Sequence, residues 1–414
     1  MSPTEYAAIK EKYLIKLRAY FPNNEVACQA EAPEKADHGD IDIFVSSDNQ
    51  VDFLDMARSI GATGLIIHGV SKCTLGVAKE EAQTSSQVAI YQHIDLNRGQ
   101  KLAVDHPVTS EEYAQIDVAI ISTSLIAWNT FHSSYGDLNT MIGRIMTPLG
   151  FTVTDKGLWL RMEELDASKD IDNVTIADED GKLLLSTDPN RVMEFLGLSV
   201  EGYEAGFSTI EQFYQWMGAC RLIAPETVKV QRMRAHYFDQ KRTTLSNFYC
   251  EWLPEHLPAM DREIDKEEQR ATIERLRKQY LHEAVSFFDK EAEYAAMHDP
   301  LALRLKNAIA ASLLRQLIAK HSGAAAKKLP ELVRAFRRWV RFTEDGEPYV
   351  GDTATEDSAS QLYRFLDSEG KGLRDEHATD EFVRMRWEEL KALQRKCKPI
   401  PDGVAGFWSS SAER

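Results

Sequence analysis

With 414 residues and 43% apolar content, the chain is long enough for two or three cores of ordinary domain size, because single cores stop growing near ~250 residues; a single compact domain is not expected. A formal charge of −16 and a pI near 5.2 favour solubility and argue against a chain that clings as a whole to nucleic acid or anionic membrane, so any polyanion must meet a local basic patch. The five cysteines, Cys28, Cys73, Cys220, Cys250 and Cys397, form no CxxC pair and no zinc-spaced cluster with histidine, which argues against a disulfide framework and reads as reduced intracellular thiols.

The N-terminus opens MSPTEYAAIKEKYL with no charged leader ahead of an apolar run, and no later stretch reaches ~18 uncharged apolar residues. A cytoplasmic or nuclear protein with no membrane span is expected. From Thr4 to Phe21, Tyr6, Ile9, Tyr13, Leu14, Leu17 and Phe21 recur at helical spacing until Pro22-Asn23-Asn24 stops the run. Short apolar runs then predict strands at Ile41–Val45, Gly64–Ile67, Val88–Tyr91 and Ile116–Ile121, with a helix over Val51–Ile60. Helical periodicity returns from Leu138 to Leu149. Gly150–Val153 and Leu158–Leu160, turning at Asp155-Lys156-Gly157, predict a hairpin, and a second polar hairpin is expected at Val174–Leu185. Asp188-Pro189 opens a helix.

Beyond that point the pattern is almost wholly helical. Ile210–Met217, Tyr237–Leu253, a charged run from Asp261 to His298, Leu301–Lys320, Leu329–Phe342 and Asp380–Lys396 carry it, with an acidic loop at Phe342–Ser358. The expected division is 1–165, a mixed hairpin and helical region at 166–260, a helical domain at 261–400 and a tail at 401–414.

The most informative stretch is His38-Gly39-Asp40-Ile41-Asp42-Ile43-Phe44. Strand alternation puts Asp40 and Asp42 on one face and sends Ile41 and Ile43 into the core. Two such carboxylates repel each other and rise in pKa unless a cation compensates, and hard oxygen ligands suit Mg²⁺. Acidic alternation also occurs on plain solvent-facing strands. Gly39 adds to the metal reading by permitting close backbone approach of a phosphate.

GDIDIF at 39–44 resembles the first metal strand of the polymerase-beta-like nucleotidyltransferases. The resemblance continues through QIDVAI at 115–120, SSYGD at 133–137 and GFTVTDKGL at 150–158, and covers roughly residues 25 to 165. It implies an α+β fold, a mixed sheet with flanking helices, followed here by a largely α-helical C-terminal region. It also implies two Mg²⁺ or Mn²⁺ ions held by Asp40, Asp42 and Asp117, and transfer of a nucleoside monophosphate from a nucleoside triphosphate. Asp95 in YQHIDLN is a rival for the third carboxylate. Ser133, Ser134, Tyr135 and Gly136 fall where the family contacts the incoming sugar and base, with Tyr135 placed to stack on a base. Asp137 reads instead as a helix cap. The chain departs from the family before the GDID strand, where ACQAEAP at 27–33 replaces a Gly-Ser turn that helps hold the triphosphate. Lys35 or Lys72 is the candidate replacement, each supplying a point charge.

Overall acidity hides one basic segment. Arg304, Lys306, Arg315, Lys320, Lys327, Lys328, Arg334, Arg337, Arg338 and Arg341 are opposed only by Glu331, with Phe336, Trp339 and Phe342 interleaved. Lys229, Arg232, Arg234, Lys241 and Arg242 form a second basic stretch. Both point to RNA or another single-stranded nucleic acid as acceptor, gripped through Arg304–Arg341. The competing readings are basic helix faces paired with acidic ones, nucleotidylation of a small molecule or protein, and an interaction protein built on a decayed catalytic domain.

Overall fold

The computed structural model describes residues 1–79, 89–90, 113–136, 138–167, 181–228, 243–257, 265–356 and 359–396. The fold is α+β. Helix α1 (Pro3–Tyr20) starts where sequence chemistry says it should: Ser2 and Glu5 form a reciprocal capping box, and Pro3 occupies a first-turn position that needs no N–H partner. Strands β1 (Val26–Cys28) and β2 (Ile41–Ser46) follow. Helix α2 (Phe53–Ile60) is capped by the Asp52 side chain and closed by left-handed Gly61 at φ 74°. After it come β3 (Gly64–Ile67), β4 (Lys72–Ala78), β5 (Ala89–Ile90) and β6 (Tyr113–Ile121).

These strands make one mixed sheet in the order β1-β2-β6-β4-β3-β5. β2 runs parallel to β6 with Asp42 beside Asp117, and β4 runs antiparallel to β6 with Thr74 beside Asp117. Alternation divides the two faces. Ile41, Ile43, Ile116 and Val118 join Tyr6, Leu17, Met56 and Ile60 in the core under α1 and α2, each fully buried side chain of this size stabilising the fold by roughly 1.5–3 kcal/mol. On the opposite face Phe44 and Ala119 pack on Ile126 of helix α3 (Ile126–Ser133), so the aspartates share their face with α3.

Helix α4 (Leu138–Met146) leads into the hairpin β7 (Phe151–Thr154) and β8 (Gly157–Arg161). Strand β9 (Lys182–Ser186) adds to β8. The α3 side chains Trp128 and Asn129 fasten this hairpin, donating to the carbonyls of Thr154 at 2.7 Å and Asp155 at 3.0 Å. Helices Pro189–Leu196 and Ile210–Gly218 and a π-helical turn at Phe248–Trp252 follow.

Later elements differ from the sequence expectation at two places. The expected runs Asp261–His298 and Leu301–Lys320 are divided elsewhere: the interruption falls at Asp289, whose φ is 57°, between helices Lys266–Phe287 and Glu291–Ser322, and Pro300 sits inside the second. A proline deletes one backbone bond, but burial of Leu301, Ala311, Leu314 and Ile318 carries the helix through it. Helix Leu329–Trp339 stops before Phe342, because Val340–Phe342 becomes strand β10 and pairs with β11 (Pro348–Val350). The chain divides into two compact units, Met1–Arg161 with Leu183–Glu291, and Met162–Lys182 with Ala292–Arg414, where composition suggests boundaries at 165 and 260. No helix among the described residues is long and apolar enough to cross a membrane.

Candidate active site

Asp40 is exposed at the entry to β2, whereas Asp42 and Asp117 are half-buried on adjacent strands. One carboxylate oxygen from each lies within 4.8 Å of the others. They line a cleft of about 470 Å³ with Gln29, Glu31, Lys35, His68, Lys72 and Thr74, while Ser133, Gly136 and Asn139 bound it from the α3–α4 side.

Each inner carboxylate is held by neighbours. Gln29 Nε2 donates to Asp42 Oδ2 at 2.7 Å. Thr74 Oγ1 and Gln115 Nε2 both donate to Asp117 Oδ1, at 2.7 and 3.0 Å. Burial raises the Asp42 pKa above the ordinary carboxylate value; the Gln29 bond offsets part of that, and Asp40, Asp117 and Glu31 raise it further. The site therefore concentrates like charge where solvent screens it poorly.

The wall of the cleft formed by residues 29–34 is tied down by hydrogen bonds. Tyr6 OH and Lys10 Nζ both bond Glu31, and Lys10 also reaches the Gln29 carbonyl at 3.3 Å. Ala30 accepts from the Tyr135 N–H at 2.7 Å and donates to Ser134 Oγ at 3.1 Å. Glu34, at a left-handed φ of 58°, accepts from the Ile210 N–H at 3.0 Å. Gly39 is exposed, and a Cβ added there would meet nothing within 4 Å, so the backbone beside Asp40 is open to a ligand.

Several sequence expectations need correction. Tyr135 does not face the cleft: it is 3% exposed, with its ring among Tyr203, Phe207 and Phe213, so it anchors the fold and cannot stack on a base. Ser134 is likewise buried; its hydroxyl donates to the Thr130 carbonyl at 2.7 Å and joins the turn to Ala30. Within the basic segment, Phe336, Trp339 and Phe342 belong to the core of the second unit and are unavailable for stacking. Arg338 and Arg341 spend donors on backbone carbonyls, Thr355 and Thr353 among them, and Lys320 pairs with Asp380 at 2.9 Å. Asp95, Asp137, the 174–180 turn and the basic stretch 229–242 lie outside the described residues.

Sequence reasoning misses Gln29, Glu31, His68, Thr74, Gln115 and Asn139. Gln115 is legible in principle, since it stands two residues before Asp117 on the same strand face. His68 and Thr74 are not, because their approach to Asp117 depends on the pairing of β4 with β6. The chain matches no protein-family model and no curated protein. The chemistry of the cleft therefore stands on its own geometry.

Proposed function

We propose that this chain transfers a nucleoside monophosphate from a nucleoside triphosphate to an acceptor hydroxyl, with release of pyrophosphate, in the manner of a polymerase-beta-like nucleotidyltransferase. The observation that carries the reading is the approach of Asp40, Asp42 and Asp117 within 4.8 Å in an open cleft. Their chemistry fits Mg²⁺ or Mn²⁺: the donors are hard oxygens, and the elevated Asp42 pKa reflects burial together with crowded negative charge that a divalent ion relieves.

Asp40 and Asp42 would hold both ions, and Asp117 the ion on the acceptor side. When bound, the pair supplies stabilisation of charge on the attacking and leaving oxygens of an in-line displacement. The acceptor hydroxyl oxygen would bond to the α-phosphorus as the bond from that phosphorus to the α–β bridging oxygen breaks and pyrophosphate leaves, and Asp117 would receive the hydroxyl proton. Lys35 and Lys72 line the same cleft and offer point charges to the triphosphate. Ser133 and Gly136 supply the wall left for sugar and base once Ser134 and Tyr135 are assigned to the fold. The acceptor we favour is the end of a single-stranded nucleic acid, supported by the exposure of Lys306, Lys327, Lys328 and Arg334 in the basic segment.

Incubation with each labelled ribonucleoside triphosphate, Mn²⁺ and single-stranded RNA tests the reading. Label is expected in RNA, and is expected to disappear in Asp42→Asn and Asp117→Asn, with Asp117→Asn sparing triphosphate binding more than Asp42→Asn. Label in protein or in a small product moves the acceptor. Absence of pyrophosphate, together with no rise in melting temperature on adding Mn²⁺ and triphosphate, overturns the enzyme and leaves an interaction protein.

A further inference from the structure

We infer that His68 and Thr74 are positioning residues for Asp117, acting as a two-step relay that fixes which oxygen of that carboxylate faces the cleft. The inference rests on the nucleotidyl-transfer reading of the same cleft. His68 sits at the β3–β4 turn, where its backbone N–H bonds the Lys72 carbonyl at 2.8 Å and holds it against β4. Its Nε2 lies 2.9 Å from Thr74 Oγ1, and that hydroxyl lies 2.7 Å from Asp117 Oδ1.

Counting protons gives the relay a direction. A threonine hydroxyl has one proton, and an ionised carboxylate only accepts, so Thr74 donates to Asp117 and must itself receive from His68 Nε2–H. A histidine protonated on Nδ1 alone would compete for the same hydroxyl proton and draw it off Asp117. With Thr74 and Gln115 both on Oδ1, the carboxylate is held in rotation, and Oδ2 is the oxygen left to a ligand. Gln29 does the corresponding work on Asp42 Oδ2. Each inner aspartate thereby has one oxygen tied to a neighbouring side chain, which sets a ligand geometry that a freely rotating carboxylate would not keep.

The test measures Mn²⁺ affinity by electron paramagnetic resonance of the free ion, together with kcat and KM for the triphosphate. Variants are Thr74→Val, Thr74→Ser, His68→Ala and His68→Gln, with Asp117→Asn as reference. Thr74→Val should weaken Mn²⁺ binding by about tenfold, the scale on which lost support of a metal ligand is felt, whereas Thr74→Ser stays near wild type because it keeps the hydroxyl. His68→Gln, whose amide can donate, should stand closer to wild type than His68→Ala. Metal-free melting temperatures should be alike within each pair, which a merely structural role would not produce. If Thr74→Val unfolds, the His68 pair decides alone. Wild-type Mn²⁺ affinity in Thr74→Val and His68→Ala, alongside loss in Asp117→Asn, overturns the relay and leaves the reaction standing. Unchanged Mn²⁺ affinity and transfer in Asp117→Asn overturns both.

Discussion

Asp42 has its charge in the least favourable place in the cleft, half-buried and close to like charge. Without a divalent ion, Asp42→Asn should therefore raise the melting temperature at neutral pH, since an amide oxygen still accepts from Gln29 and the repulsion is gone. On the proposed two-ion reading, saturating Mg²⁺ should reverse the order, because the wild type would gain more binding free energy than the variant; calorimetry with and without the ion checks both signs. His132 on α3 gives a second pH-dependent case away from the aspartates. Burial lowers its pKa below the ordinary value and Asp155 partly restores it, so the folded state binds fewer protons than the unfolded chain. Stability from this group is present above the unfolded value of about 6.5 and lost as pH falls through the folded one. Urea titrations at pH 7.5 and 5 should show a smaller loss for His132→Gln than for the wild type.

At the scale of elements, the hairpin β7–β8 depends on one residue. Gly157 has a φ of 133°, and an added Cβ would come within 2.8 Å of the Ser186 carbonyl oxygen on β9. Gly157→Ala is therefore strained in its own backbone and clashes with its neighbour, at a cost of about 1–3 kcal/mol in chemical denaturation. The site's elements are unevenly legible in the sequence. β2 and β6 are visible because their apolar runs are dense, and their parallel pairing sets Asp42 beside Asp117. β1 and β4 escape, since VAC is too short to show a period and KCTLGVA mixes a charge, a glycine and small residues. The expectation of an unbroken helix over Leu329–Phe342 fails for a different reason: Val340–Phe342 gains ladder bonds from Pro348–Val350 that no local preference encodes.

For the whole molecule, the acidic balance and the basic segment pull in opposite directions, and the second unit settles which cations serve its own fold. Arg341 donates to the carbonyls of Val340, Arg338 and Thr353 at 2.8, 3.0 and 3.0 Å. Arg341→Ala should lower stability by about 0.5–1.5 kcal/mol, the net worth of a lost hydrogen bond, because the Arg338 carbonyl still accepts from the Thr355 N–H at 2.9 Å; urea denaturation reads it. Lys327 and Lys328 are exposed. Replacing both with Ala should flatten the salt dependence of single-stranded RNA binding by about 0.7 in log–log slope per lost phosphate contact, with little change in folding; fluorescence anisotropy across a salt series measures it.

The sequence by itself determined the amphipathic entry helix, the strands bearing Asp42 and Asp117, the glycine-dependent hairpin and the helical character of the C-terminal half, because periodicity, caps and turn residues act over a few neighbours. Only the tertiary structure decided that Tyr135, Phe336 and Trp339 are core rather than contact surface, and that Gln29, His68 and Thr74 reach the aspartates. Burial and cross-strand pairing join residues far apart in the chain, and no local pattern records which side of a strand or turn a distant neighbour will cover.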